Sequence, residues 1–164
     1  MTIDSVSSFI DYYHNIRKRT DRLLSVIQPE HLDWTYSEGK FTIADIIRHI
    51  AAIERYMYAE TVIGNPSRYK GCDKKLADGY EEVMAFYKIS RQESLEVFQS
   101  LNDEDLKKKC LIPGRTKITI WKWLRAMVEH EVHHRGQLYI YLNMIGVETP
   151  PMFGMTEEEL RKVN

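Results

Sequence analysis

The sequence predicts an all-α protein, a four-helix bundle. Three observations carry that expectation. Four segments repeat their apolar residues at helical spacing, clusters of Pro and Gly separate them, and their lengths match at about 20–27 residues, or about 30–40 Å each at the helical rise. The 164 residues are expected to form one domain over 1–164, large enough to bury about 68–70% of the unfolded chain's surface without disulfides or metal staples.

The first helix is expected from about Thr2 to Ile27, where Val6, Phe9, Ile10, Tyr13, Ile16, Leu23, Leu24 and Ile27 recur every three, four or seven residues until Pro29 stops it. The second begins near Thr42, where Thr42 and Asp45 resemble a capping box, and runs to about Ile63. Its stripe is Ile43, Ile46, Ile47, Ile50, Ile53 and Met57, and Gly64-Asn65-Pro66-Ser67 breaks it. A long polar connection leads to Asp78-Gly79 and a third helix carrying Val83, Phe86, Tyr87, Leu95 and Phe98. A loop with Pro113-Gly114 follows, with some extended structure over Lys117–Ile120, before a fourth helix from about Thr119 to Ile145, stopped by Gly146. Connections of about 14 to 17 residues permit crossovers, so these patterns leave the topology open.

Composition excludes several functions. A formal charge of -1 provides no broad positive field for nucleic acid or an anionic membrane, and Lys107-Lys108-Lys109 reads as a solvated face. No run is long and apolar enough for a membrane span. Two cysteines, Cys72 and Cys110, with an acidic, polar N-terminus make the cytoplasm the expected location.

The six histidines are the informative residues. His130 and His134, one helical turn apart, place both rings on one face where they can share an ion. Chance alone yields about 0.2 such pairs in this composition, so the pair needs support. On a helical wheel of about 100° per residue, His134 lies in the arc of Leu124, Met127, Leu138 and Leu142, and His130 at its edge. His133 points away to solvent. Two imidazoles hold an ion poorly, and the third candidate is His49, at the shoulder of the Ile46-Ile50-Ile53 stripe on the second helix. His14 and His31 lack such partners.

Glu131 falls on the core face, where a carboxylate is costly unless paired, hydrogen-bonded or near a cation. With its neighbours it spells His130-Glu131-x-x-His134, the zincin protease motif, expected by chance about 0.02 times. No histidine follows His134 to complete a protease site, and the chain is short for a zincin cleft.

Phe41-Thr-Ile-Ala-Asp-Ile-Ile-Arg-His49-Ile and His130-Glu-Val-His-His134-Arg-Gly-Gln137-Leu resemble the two metal-histidine segments of the DinB family. That family comprises four-helix bundles related to bacterial thiol-dependent transferases and unrelated to the polymerase of the same name. Leu32-Asp-Trp34 through Ser37-Glu-Gly39 resembles the family's connection between helices one and two. The resemblance implies an up-down-down-up bundle, a homodimer, and a divalent ion such as zinc or nickel on His49, His130 and His134 with positions left open. It further implies that Gly136 admits a neighbouring helix and that Gln137 hydrogen-bonds a ligand histidine.

Three imidazoles with an open position suit catalysis better than structure. The expected function is a metal-dependent thiol S-transferase or hydrolase acting on a small molecule, with a low-molecular-weight thiol or water as nucleophile. Glu131 is the candidate to orient that nucleophile or take its proton. Met152, Phe153 and Met155 are candidates for an apolar wall over the open end. The alternative is a non-catalytic metal-binding stress-response protein.

Overall fold

Four long helical segments of this computed structural model, which describes residues 3–163, account for most of the chain. Helix α1 spans Val6–Leu24, with its N-terminus set by Ser5, whose side chain accepts from Ser8 N. The expected start at Thr2 lies outside the described residues. Helix α2, Ile43–Ile53, opens with the Thr42/Asp45 capping box and continues through a π-helical turn, Glu54–Tyr58, into α3, Ala59–Val62. Helix α4 covers Tyr80–Gln99 behind Gly79, whose φ of 87° favours glycine. Helix α6 covers Ile120–Met144.

Two apolar layers determine the direction of each helix. One joins Leu23, Leu24 and Ile27 with Ile43–Ala51, Val83, Tyr87 and Leu138–Leu142. The other joins Phe9, Tyr13 and Ile16 with Tyr58–Val62, Phe98 and Ile120–Val128. The start of α1 and of α6 therefore share one end, and the start of α2 and of α4 share the other, giving up-down-down-up. Helix α6 packs against α1 and α2, and α4 packs against the same two, so α1 and α2 are diagonal. Fully buried side chains such as Phe9, Leu23, Ile46 and Leu138 each stabilise the fold by about 1.5–3 kcal/mol.

Between the apolar layers lies a buried polar one. Arg17 pairs with Glu54, Arg91 Nη2 donates to both Glu131 oxygens at 2.9 and 3.0 Å, and Tyr13 donates to Glu54 at 2.8 Å. The π turn explains why Glu54 belongs to it. One extra residue in the turn rotates the following segment, so Glu54 and Tyr58 are buried where the sequence stripe placed Ile53 and Met57, which are only half-buried.

Other differences lie between the long helices. The expected extended stretch is half of a hairpin, in which β1, Lys109–Ile112, pairs antiparallel with β2, Thr116–Thr119, around Pro113-Gly114. Before it, Asp103–Lys107 forms the short helix α5 behind an Asn102/Asp105 capping box. Near the C-terminus, Glu157–Val163 forms α7. Among the described residues no other element of the chain approaches Gly136, where a side chain would meet open space. The segment before α7 lies along α1, where Arg19 stacks over Phe153 at 5.0 Å and Arg22 donates to the Met152 carbonyl at 3.4 Å. Among the described residues, no helix is long and apolar enough to cross a membrane.

Candidate metal centre

The antiparallel contact of α2 with α6 brings His49, His130 and His134 together. His49 sits one turn before the π turn, on the side of α2 that faces α6, and the one-turn spacing stacks His130 below His134. The Nε2 atoms of His49 and His130 are 3.1 Å apart, as are those of His134 and His130. Bonds of about 2.0–2.1 Å at tetrahedral angles place ligand nitrogens about 3.3 Å apart. The three rings therefore match the bite of one small transition-metal ion. His49 and His130 are half-buried and His134 is 9% exposed.

The outer nitrogens are braced as well. His134 Nδ1–H donates to Gln137 Oε1 at 2.6 Å, which leaves the Nε2 lone pair free to face the cluster. The Tyr69 hydroxyl lies 2.7 Å from His49 Nδ1. Burial keeps the Tyr69 phenol and the Cys72 thiol above their ordinary values, so both stay neutral. Tyr69 belongs to the long connection after α3. That connection is anchored by Arg48, a fully buried side chain that donates to the carbonyls of Cys72 at 2.8 Å and Ala77 at 3.0 Å. Phe41, whose ring is 5.5 Å from that of His49, adds an exposed apolar face.

Electrostatics favours neutral imidazoles. Burial pushes His49 down to about 4, helped by His134, and pushes His130 down to about 3, helped by His134 and His49. Burial also lowers His134. Protons therefore leave the lone pairs available to a metal well below neutral pH.

Glu131 is not brought to the cluster. It points to the opposite side of α6, into the buried polar layer. Thr20 donates to its Oε1 at 2.6 Å, Arg91 holds both oxygens, and Arg17 lies 3.6 Å away. Burial opposes its charge, but Arg91 and Arg17 outweigh burial and hold the carboxyl below its ordinary value. His133 is exposed on the flank of α6. The tail residues Met152 and Phe153 meet Arg22 and Arg19 rather than the histidines.

The three histidines and Gln137 are legible in the sequence; the roles of Tyr69, Phe41 and the Arg17–Arg91 layer are not. Phe41 was visible only as the residue opening the α2 motif. Tyr69 carries no periodic signal, being a loop residue 20 positions from its partner.

Known proteins share this architecture. The uncharacterized protein YjoA of Bacillus subtilis strain 168 is 21% identical over 151 residues, covering 90% of this chain and 95% of YjoA. A DinB-like protein from Bacillus cereus superposes with a TM-score of 0.74 at 18% identity, covering 90% of this chain and 97% of its own. YfiT from Bacillus subtilis superposes with a TM-score of 0.65 at 18% identity, covering 87% and 89%. It is described as "a probable metal-dependent hydrolase with an unusual four-helix bundle topology". The superfamily's sequence model matches residues 12–138, so the chain belongs to the DinB superfamily.

Proposed function

We propose that the protein is a metal-dependent enzyme whose ion, zinc or nickel, is held by His49, His130 and His134 and whose nucleophile is a low-molecular-weight thiol or water. One observation carries this reading. Three imidazoles converge and, among the described residues, no fourth His, Cys, Asp or Glu joins them, whereas a structural ion normally has all four positions filled by protein. The description of YfiT as a probable metal-dependent hydrolase supports the same reading.

A divalent ion held there would lower the pKa of water toward about 7 or would deprotonate a thiol outright, the proton passing to solvent. The chain's own residues set the conditions. Gln137 and Tyr69 hold two of the imidazoles in position, and Phe41 offers an apolar surface beside His49. Glu131 is committed to Arg91, Arg17 and Thr20, so the cluster itself contains no carboxylate base. That favours the thiol, which ionises far more readily than water and would need no protein base to become a nucleophile.

The test uses protein loaded with zinc or nickel, a panel of thiols, and chlorinated aromatic and epoxide electrophiles. Thiol-dependent loss of an electrophile, absent in His130→Ala, is the expected result. Ester hydrolysis without any thiol would shift the reading to the hydrolase. If chelation lowers the melting temperature sharply while neither reaction occurs, the enzyme reading fails and the ion is structural.

A further inference from the structure

A cavity of about 540 Å³ opens between α1 and α4. It is separate from the histidine cluster, which lies between α2 and α6. Its walls include Tyr13, Tyr87, Met84 and Leu95, and its lining includes Arg17 and Arg91. Each guanidinium stacks on a tyrosine of its own helix, Arg17 on Tyr13 at 4.3 Å and Arg91 on Tyr87 at 4.4 Å.

Both arginines have unused hydrogen-bonding capacity. Arg17 uses Nη2 for Glu54 and Arg91 uses Nη2 for Glu131. The Nε and Nη1 atoms of both are buried with no acceptor. Asp21 Oδ1 is 4.0 Å from Arg91 Nη1, too far to serve, and itself accepts from Tyr87 at 2.8 Å. Buried donors without acceptors are rare because each forfeits its bond to water. Charge shows the same excess: Arg17, Arg91 and Arg135 are buried in this layer against two buried carboxylates, Glu54 and Glu131. Lys88 and Asp21, the exposed charged residues of the lining, mark its mouth.

We infer that this cavity binds a small organic monoanion, a carboxylate with an aromatic or aliphatic body, whose head group pairs with the Arg17 and Arg91 guanidiniums that line it. Three buried guanidiniums against two buried carboxylates favour an anionic head group there. Tyr13, Tyr87, Met84 and Leu95 accept the apolar body. Asp21 at the mouth disfavours a second negative charge.

The test is titration of the full-length protein with benzoate and hexanoate, their neutral amides, and inorganic phosphate, read by calorimetry and by melting temperature. The carboxylates are expected to bind and raise the melting temperature, and the amides to bind about tenfold more weakly or less, the loss of one charge-assisted hydrogen bond. Met84→Trp, which fills the cavity wall, is expected to abolish binding. Lys88→Glu at the exposed mouth is expected to weaken it severalfold, and it carries the test should Met84→Trp not fold. Equal binding of amides and carboxylates, binding unaffected by these variants, or no binding at all would overturn the proposal. Phosphate binding as tightly as the carboxylates would overturn the organic part of it.

Discussion

Replacing Gln137 by Leu removes the acceptor of His134 Nδ1–H, a 2.6 Å hydrogen bond, while keeping the bulk of a half-buried side chain. Two consequences follow from the geometry. The His134 ring loses the partner that fixes its rotation and tautomer, and its Nε2 becomes a weaker donor to a metal. Partners of this kind are worth about 10–100-fold in metal affinity, which is about 1.4–2.7 kcal/mol. Folding should lose less, because Gln137 is half-exposed and one ordinary hydrogen bond contributes about 0.5–1.5 kcal/mol. The assay is competition for zinc against a chelator of known affinity, beside urea unfolding of the metal-free variants. Gln137→Glu, which keeps an acceptor in reach, should restore most of the affinity. Zinc affinity unchanged in Gln137→Leu, or Gln137→Glu no better than Gln137→Leu, would refute the bracing role.

Three further outcomes follow. Glu131→Gln strands the charge of Arg91, while Arg17 keeps Glu54, and should destabilise the fold by about 3–5 kcal/mol without changing metal stoichiometry; loss of metal at a temperature where the variant is still folded would return Glu131 to the site. Thr42→Ala removes the acceptor for Asp45 N and should cost about 0.5–2 kcal/mol in chemical unfolding; no change would mean that the α2 terminus needs no cap. Acidity should act through His130, whose folded value of about 3 lies below the ordinary value of about 6.5. Between those limits the unfolded chain binds a proton that the folded ring refuses. That contribution to stability is present above pH 6.5 and lost as the pH falls toward 3, so metal-free parent protein should lose stability relative to metal-free His130→Ala; parallel pH profiles would contradict it.

What the sequence revealed depended on periodicity. The helical wheel placed His134 in the core face, His130 at its edge and His133 outside, and the structure agrees because α6 is one uninterrupted helix. The same wheel showed Glu131 facing inward, where a carboxylate needs partners, and those partners are Arg91, Arg17 and Thr20. It could not name them, because contacts between α1, α4 and α6 have no local sequence spacing. On α2 the wheel failed beyond Ile50. A π turn leaves no mark in an apolar stripe, so the buried positions moved from Ile53 and Met57 to Glu54 and Tyr58. Tyr69 was invisible for a related reason: Arg48 holds its loop in place through backbone carbonyls, which any residue supplies.

The family resemblance and the geometry also converge unequally. Up-down-down-up topology follows from which residues share each apolar layer, while Gly136, expected to admit a neighbour, faces open space. The histidines of α2 and α6 can face one another because those helices run antiparallel and adjacent, a consequence of placing α1 diagonal to α2.

The proposed function rests on one metal ion held by His49, His130 and His134. Elemental analysis of the purified parent and of the His49→Ala, His130→Ala, His134→Ala and His133→Ala variants tests it most directly. One transition-metal ion per chain in the parent and in His133→Ala, with loss in the other three, is the predicted result; a full complement of metal in His130→Ala would contradict it.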